Sequence, residues 1–382
     1  MGLQKHQLDK GFSCGDKTVC CDCISTEAIS IFISNNQTSN VCSYCGSDEV
    51  IATSLESILE LIYESVITEY SPPNDDGMSW DGREGGWQGI TYNIDDVLAS
   101  EGFETESEDL FKDVMSSFDD DVWCEKDHAC LSSDRMYWYG WAEFSEYIKH
   151  TARYVFWQTL EESGDKEFPT DGMNPIDILQ TLGRIINKMN LFKAVDTSEI
   201  IYRVRVVDPP VRDYSFEELG SPPNDYAKMP NRMSPAGISM FYGAFDKDTA
   251  ICETYHKSEE EKIIVCGEFQ PKRILHLIDL SDVVVIPSLF DEKQRSQRHI
   301  LKFLHEFMED FSREIDRTES SHIDYVPTQV VTEYLKYIFK PANNEQIDGI
   351  LYPSSKTHRT ALVLFFDAHS CSENLNLIGQ SA

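Results

Sequence analysis

Two pairs of cysteines in the first 50 residues have the spacing of metal ligands. Cys20 and Cys23 are separated by two residues, and after 18 intervening residues Cys42 and Cys45 repeat that spacing. Two such thiolate pairs form a tetrahedral zinc site, and four protein ligands leave no open position for catalysis. The pattern predicts a zinc ribbon with a structural ion. Two alternatives stay open: Cys21 could replace Cys20 as a ligand, or the cysteines are ordinary reduced thiols.

A second set of chemically capable side chains is scattered through the latter half of the chain. Its members are Arg203, Arg232, Tyr242, Glu253 and Ser354. Arginines bind phosphate groups, an aromatic ring stacks on a base, and a carboxylate stabilises a developing cation. These residue types are the ones needed to hold a dinucleotide and to break it at a sugar carbon.

The first of these arginines lies in a short apolar segment, 201–205, that is typical of a strand. Side chains alternate along a strand, which places Arg203 and Arg205 on one face and Tyr202 on the other. In so acidic a chain, a basic pair on one face favours contact with a diphosphate. The alternative is that both arginines form salt bridges with nearby carboxylates.

The contexts of these residues resemble the RES domain, a family named for an arginine, a glutamate and a serine. The contexts are the segments 201–205, 231–244, 248–254 and 349–355. The order arginine, tyrosine, glutamate is similar to the histidine, tyrosine, glutamate order of diphtheria-toxin-like ADP-ribosyltransferases, whose fold RES domains share. The resemblance implies an enzyme that degrades NAD.

The resemblance also implies roles for individual side chains. Breaking the bond between nicotinamide and ribose passes through an oxocarbenium-like state, which Glu253 would stabilise while Tyr242 stacks on nicotinamide. Arg203 and Arg232 complete the implied catalytic set. The further NAD-binding candidates are Tyr202, Arg205, Ser354 and Ser355, and either serine could be the family serine. Without the resemblance, Glu253 is a surface glutamate and Tyr242 a core aromatic.

The composition excludes some classes of partner. The 382 residues include 33 Lys and Arg against 66 Asp and Glu, a net charge of −33. Such a polyanion is repelled by nucleic acid and by anionic membranes, so neither is expected as a partner. No apolar run approaches the ~20 residues of a membrane span, and the N-terminus lacks an apolar signal core. We expect a folded cytoplasmic protein.

The chain divides by composition into segments, and we expect a multidomain protein. The expected parts are a zinc ribbon at 1–50, an α-helical middle domain at 51–195, an α+β, ADP-ribosyltransferase-like RES domain at 196–370, and a loose polar tail at 371–382. In the RES segment, short apolar runs predict strands at 200–206, 238–241, 263–266, 274–277, 283–286, 349–352 and 362–366. The predicted helices lie at 244–257, 291–315 and 327–339.

The middle segment contains apolar residues at helical spacing, namely Leu55, Ile58, Leu59, Ile62 and Val66. Its place ahead of the RES segment resembles the HEPN-type N-terminal domains that are fused to RES domains. HEPN ribonucleases carry an arginine followed four to six residues later by a histidine, and residues 51–195 contain no such pair. A packing or regulatory role is therefore expected for this segment, without ribonuclease activity.

The resemblance also implies partners. Proteins with RES domains usually act as toxins that deplete NAD and are silenced by an antitoxin. We therefore expect NAD as the substrate and an antitoxin or regulatory protein as a partner. Assembly into a homo-oligomer stays open. With water or phosphate as acceptor the enzyme is a glycohydrolase or a phosphorolase. One alternative is ADP-ribosyl transfer to a protein. Another is a non-catalytic binding protein in which the zinc ribbon is the functional part.

Overall fold

The structure is a computed structural model that describes residues 11–120, 122–158, 173–174, 177–255, 262–314 and 321–382. Its contacts divide the chain into two compact units. The N-terminal unit comprises Met1–Ser132 and Val285–His299, and the C-terminal unit comprises Ser133–Val284 and Ile300–Ala382. Among the described residues, no helix has the length and apolar character needed to cross a bilayer. The boundaries predicted at residues 50 and 195 are not boundaries of these units, and as domain limits they stay predictions.

The described residues of the N-terminal unit form four α-helices and three small sheets. Its strands are β1 Thr18–Cys20, β2 Ser39–Val41, β3 Asp48–Ser54, β4 Tyr70–Ser71, β5 Trp80–Asp81, β6 Gly86–Trp87, β7 Tyr92–Asn93 and β8 Val122–Glu125. Its helices are α1 Glu27–Asn35, α2 Leu55–Glu69, α3 Ile94–Ser100 and α4 Glu108–Ser117. The sheets have the strand orders β1-β3-β2, β4-β8-β7 and β5-β6.

Helix α2 confirms the helix that the spacing of apolar residues predicts at the start of the middle segment. Ser54 caps the helix by accepting a hydrogen bond of 3.1 Å from the backbone N of Ser57, which satisfies one of the free N–H groups of the first turn. The predicted apolar residues are all buried in this helix, namely Leu55, Ile58, Leu59, Ile62 and Val66. The helix therefore forms the centre of the N-terminal core.

The segment Val285–His299 is held in the N-terminal unit by a buried ion-pair group. Arg298 donates from Nε to Glu69 at 2.7 Å and from Nη2 to Glu101, and its Nη1 donates to the Pro287 carbonyl at 2.7 Å. The arginine and glutamate side chains are all at most 11% exposed. Since an unpaired buried charge is costly, loss of any member destabilises the group.

The C-terminal unit is built on one eight-stranded sheet. Its strands are β9 Phe192–Val195, β10 Ile201–Val207, β11 Phe241–Ala244, β12 Ile263–Pro271, β13 Leu275–Asp279, β14 Gly349–Pro353, β15 Thr360–Leu364 and β16 Leu375–Ser381. They are ordered β16-β12-β10-β11-β15-β14-β13-β9. The pairs are antiparallel except for β13 with β14, so the sheet is of the mixed α+β kind.

Helices cover both faces of this sheet. They are α5 Ser133–His150, α6 Asp177–Lys188, α7 Phe216–Leu219, α8 Lys247–Thr254, α9 Arg298–Ser312, α10 Ser321–Asp324, α11 Val326–Tyr337 and α12 Ala368–Asn374. One core contains residues of α5, α6, α9 and α11 with Ile350 and Val363 of the sheet. The other contains residues of α7 and α12 with Phe241 and Leu351.

Two expectations for the C-terminal segment are wrong. Residues 283–286, expected as a strand, have no regular structure. Residues 371–382, expected as a loose tail, contain the end of α12 and the whole of β16, which pairs with β12 from Cys266 to Pro271. The polar residues of β16 alternate with Leu375 and Leu377, which lie in or against the core. A one-sided edge strand of this kind looks polar in sequence because half of it faces water.

Candidate active site and cysteine cluster

Arg232 is placed by the carboxyl end of helix α9. Its Nη1 donates to the carbonyl oxygens of Phe311 at 2.9 Å and Arg313 at 2.7 Å. Carbonyls at a helix end lack partners within the helix and attract cations. Among the described residues, none accepts a hydrogen bond from Nε or Nη2 of Arg232. The guanidinium is thus oriented through one nitrogen and keeps donors for a ligand.

The loop that carries Arg232 is held by two buried side chains at the start of α11. Gln329 donates from Nε2 to the carbonyls of Asn231 at 2.8 Å and Ser234 at 3.3 Å. Thr328 donates from its hydroxyl to the carbonyl of Arg232. Gln329 is 7% exposed and Thr328 is 4% exposed. Because buried carbonyls need partners, these two side chains determine the path of the loop.

Tyr242 on β11 is anchored through its hydroxyl to the same loop. The hydroxyl lies 2.9 Å from Oγ of Ser234 and accepts a hydrogen bond of 3.3 Å from the backbone N of Met233. Burial raises the pKa of Tyr242 to about 12, although these two hydrogen bonds act in the opposite direction. The side chain is therefore neutral at physiological pH, and its ring has a set orientation.

Glu253 lies in the last turn of α8, a short helix capped by Asp246, which accepts a hydrogen bond of 2.9 Å from Thr249 N. Its Oε1 is buried and has no hydrogen-bond partner among the described residues. A buried carboxylate oxygen without a partner is costly. Such an oxygen is typical of a binding site, where a group of the ligand donates a hydrogen bond to it.

Ser354 begins the turn that follows β14 and is completely buried. Its Oγ accepts hydrogen bonds from the backbone N of Lys356 at 3.2 Å and of Thr357 at 3.3 Å. A hydroxyl that accepts two bonds still has one proton to donate. Ser354 thus both shapes its turn and offers a donor, whereas the neighbouring Ser355 has intermediate exposure.

Side-chain contacts tie this turn to helix α8. Lys356 Nζ donates to the Cys252 carbonyl at 2.7 Å, next to Glu253. The hydroxyls of Thr357 and Thr249 lie 3.0 Å apart. One further ion pair joins Arg359 to Asp246 at 3.1 Å. The structure therefore brings the predicted glutamate and serine to adjoining elements, although 100 residues separate them in sequence.

Strand register assigns the predicted residues to faces of the sheet. Tyr202 of β10 is opposite Ala244 of β11, and because side chains alternate, Tyr242 shares their face. Ala244 is opposite Ala361, which is opposite Tyr352. This face, which we call the tyrosine face, also receives α8, since Ala250 packs with Ala244.

Arg203 and Arg205 lie on the opposite face, which we call the arginine face. Nη1 of Arg203 donates to the Tyr242 carbonyl at 2.9 Å, and its guanidinium lies 4.6 Å from the centre of the Phe241 ring. Arg205 donates to the Gly220 carbonyl. Burial lowers the pKa of both arginines. The structure does not bring this pair to Glu253, and their role in binding NAD stays a prediction.

Tyr352 is a site residue that the sequence interpretation missed. Burial raises its pKa, and the negative charge of Glu253 raises it further, while the positive charge of Arg232 lowers it. The charges of both predicted catalytic residues therefore act on its hydroxyl. Its position two residues before Ser354 on a strand was the available signal, because alternation puts both on one side.

A large cavity lies elsewhere in the C-terminal unit. Its volume is about 820 Å³, and its lining includes Arg273, Lys336 and Asp348. Arg273 and Asp348 pair with each other through two hydrogen bonds of 2.8 and 2.6 Å. None of the predicted site residues lines this cavity. It is therefore separate from the candidate active site.

The four predicted metal ligands of the N-terminal unit converge. The sulfur atoms of Cys20, Cys23, Cys42 and Cys45 lie within 4.8 Å of one another. Three separations are 3.6 Å for Cys20–Cys23, 3.6 Å for Cys20–Cys45 and 3.7 Å for Cys23–Cys42. A tetrahedral zinc site with bonds of ~2.3 Å requires sulfurs ~3.8 Å apart, so this group fits the ion. The alternative ligand Cys21 instead lies against Ser34, 3.3 Å away.

Comparison with models of protein families identifies two domains in the chain. Residues 35–162 match the model of HEPN/RES N-terminal domain 1, and residues 200–377 match the model of the RES domain. The chain therefore carries a HEPN/RES N-terminal domain 1 followed by a RES domain. A RES domain is consistent with an enzyme that acts on NAD. Searches of curated proteins and of solved structures gave no match.

Proposed function

We propose that this protein cleaves the bond between nicotinamide and ribose in NAD, with water or phosphate as acceptor. The observation that carries the proposal is the buried Oε1 of Glu253, which has no hydrogen-bond partner among the described residues and lies on an element joined to the Ser354 turn. A negative charge at this place stabilises the ribosyl cation that forms as nicotinamide leaves.

The other residues orient the dinucleotide. Arg232 has donors left for the diphosphate, and bidentate contacts from arginine to phosphate are strong and directional. Tyr242, whose hydroxyl is held by Ser234, presents a ring of set orientation for stacking on nicotinamide. Ser354 has a proton to donate to the carboxamide or a ribose hydroxyl. Such positioning supplies much of the rate when the leaving group is already cationic.

The test is NAD consumption and nicotinamide release by the full-length protein, with and without phosphate. Glu253→Gln keeps the shape of the side chain and removes its charge, so we expect a loss of ~10²–10³-fold in kcat. The matched control is Glu333→Gln, which changes another partly buried glutamate of the C-terminal unit. Equal turnover by the Glu253→Gln variant and the wild type would refute the proposal. If ADP-ribose became attached to protein and was not released free, the enzyme would be a transferase instead.

We also propose that the four-cysteine group binds a structural zinc ion. Its sulfur separations fit a tetrahedral site, and Cys20, Cys23 and Cys42 are at most 5% exposed. A Cys42→Ser variant should lose this ion and part of the stability of the N-terminal unit, because ligation contributes folding free energy. Zinc content and thermal unfolding of the variant measure both effects. Unchanged zinc content would contradict this assignment.

In the cell, NAD cleavage would stop growth, and we propose that the protein acts as a growth-arresting toxin controlled by a regulatory partner or by its own N-terminal unit. The measurement is growth and NAD content of cells that express the wild type or the Glu253→Gln variant. We expect NAD depletion and arrest only with the wild type. Arrest by both proteins at equal expression would separate toxicity from NAD cleavage.

A further inference from the structure

The N-terminal unit contains a second group of metal-ligand side chains, apart from the four cysteines. Asp76, Cys124 and His128 each offer one ligand atom, and these atoms lie within 4.8 Å of one another. The side chains of Asp76 and His128 are 8% and 23% exposed, and Cys124 is completely buried. We call these three residues the Asp–Cys–His cluster.

Local backbone structure brings the three side chains together. Strand β4 pairs with β8 so that Ser71 is opposite Cys124, and the turn after each strand supplies one further member. Asp76 lies in the turn after β4, and His128 lies in the turn after β8. Asp127, which precedes the histidine, has a φ of 55°. This left-handed residue reverses the chain and directs His128 back toward Asp76.

Backbone hydrogen bonds hold the carboxylate in place. Oδ1 of Asp76 accepts from the backbone N of Asp127 at 2.9 Å, and Oδ2 accepts from the backbone N of His128 at 2.8 Å. Oδ2 also forms a hydrogen bond with Nδ1 of the His128 ring. Outer contacts of this kind orient the first ligands of metal sites. The carboxylate is therefore rigid before any ion binds.

The types of ligand atom select the metal. One thiol, one imidazole and one carboxylate offer sulfur, nitrogen and oxygen, a set that zinc accepts and that the oxygen-binding ions magnesium and calcium do not favour. With Asp76 ionised, Cys124 as thiolate and His128 neutral, the protein charge is −2. A Zn²⁺ ion therefore makes the buried group neutral, which avoids the cost of an isolated buried charge.

We propose that Asp76, Cys124 and His128 bind a second zinc ion with three protein ligands and one water. Binding releases the thiol proton of Cys124, which in the metal-free protein is donated to the Ser71 carbonyl at 3.4 Å. It also moves the ring proton of His128 from Nδ1, where it is hydrogen-bonded to Asp76, to Nε2, so that Nδ1 can bind the ion. Among the described residues the cluster has three members, so water completes a tetrahedron. This differs from the closed four-cysteine site.

The experiment measures zinc per chain in the full-length protein after zinc loading and gel filtration. We expect two ions in the wild type and one in both Cys124→Ser and His128→Gln. The matched control is Cys130→Ser, an exposed cysteine two residues after His128 and outside the cluster, which should keep two. The ion retained at the four cysteines, together with the circular dichroism of each variant, shows that the N-terminal unit is still folded.

The outcomes separate this proposal from the others. One ion in the wild type that persists in His128→Gln would overturn the second site. One ion in the wild type and none in His128→Gln would support the Asp–Cys–His cluster while rejecting the four-cysteine site. A loss of one ion in Cys130→Ser would contradict the three-ligand set. Zinc content does not depend on NAD turnover, so failure of the proposed NAD cleavage leaves this result unchanged.

Discussion

Arg232 and Arg203 have the same side chain but differ in exposure and in hydrogen-bond partners. Arg232 has intermediate exposure, and among the described residues its side chain donates only through Nη1. Its charge lowers the pKa of Tyr242 and of Tyr352. Arg203 is 5% exposed on the arginine face and donates to the Tyr242 carbonyl. Among the described residues, Nε of Arg203 has no hydrogen-bond partner either, so exposure, rather than a free donor, is what distinguishes the two side chains. Arg232 is accessible to a ligand from solvent, whereas Arg203 is buried against the backbone that carries Tyr242. Residue type alone does not distinguish these two roles.

The short pairing of β10 with β11 explains why the Arg203 side chain donates to a backbone carbonyl of β11. These strands pair at one register position, Tyr202 with Ala244, while β10 pairs with β12 at seven positions. Two residues from that position, the Tyr242 carbonyl accepts a hydrogen bond of 2.9 Å from Nη1 of Arg203. We infer that Arg203 is a positioning residue that holds β11, and therefore Tyr242, at the point where the two strands separate.

The largest expected difference between the two arginines is in turnover. Arg232→Met removes the donors assigned to the diphosphate, and we expect kcat/KM for NAD to fall by about 10²-fold, mostly through KM. Steady-state kinetics measures the change. Arg184→Met, on helix α6 of the same unit, is the control and should leave kinetics unchanged. Unaltered KM in Arg232→Met would remove Arg232 from the binding site.

A second, smaller effect concerns stability. Arg203→Met removes a charged donor to the Tyr242 carbonyl, so we expect a loss of ~1–3 kcal/mol in the free energy of unfolding. Denaturant unfolding measures it, and kcat/KM at a temperature where both proteins are folded should fall less than in Arg232→Met. If Arg203→Met were stable but as inactive as Arg232→Met, the sequence interpretation of Arg203 as a diphosphate ligand would be correct.

The support beneath Arg232 gives a third prediction. Gln329→Ala removes the donors to Asn231 and Ser234 and loosens the loop, so we expect KM for NAD to rise about tenfold, because small displacements reduce productive binding. Thr332→Val is the matched control on the same helix, since its hydroxyl donates within the helix to the Thr328 carbonyl at 2.7 Å. A similar rise of KM in both variants would indicate general destabilisation in place of loop positioning.

The smallest expected effect depends on pH. Since burial raises the pKa of Tyr242 to about 12 from an ordinary value of ~10, the unfolded chain loses this proton first as pH rises. The stabilisation is complete below pH ~10 and is lost progressively as pH rises toward the folded-state pKa. Tyr242→Phe should therefore lose less stability than the wild type between neutral and strongly alkaline pH. The free energy of unfolding of the wild type and of Tyr242→Phe, measured at neutral and at strongly alkaline pH, gives the difference. Parallel losses would contradict a buried phenol.

Local sequence predicted those features that depend on neighbours in the chain. The helical spacing of apolar residues from Leu55 to Val66 predicted α2, and the apolar run before Ser354 predicted β14. Both predictions were possible because the spacing of apolar residues indicates which side of a helix or strand is buried. The structure also brings the sulfur atoms of Cys20, Cys23, Cys42 and Cys45 together as the spacing predicted.

Features that depend on pairing between distant segments were not predictable in this way. Residues 375–381 look like a polar tail, and only the partner strand β12 makes them an edge of the sheet. The run at 283–286 looks like a strand, yet no described strand pairs with it. Strand formation is decided by the hydrogen-bonding partner as much as by the sequence of the strand itself.

The sequence by itself determined the residue types of the site, the strand alternation that separates Tyr202 from Arg203, and the metal-ligand spacing of the cysteines. Only the tertiary structure decided that Arg232 is partly exposed while Arg203 is buried against a carbonyl, that the charge of Glu253 acts on Tyr352, and that Asp76 lies close to Cys124 and His128. These outcomes depend on which strands pair and which helix ends meet a loop. Such contacts form between residues far apart in the chain, and no local pattern encodes them.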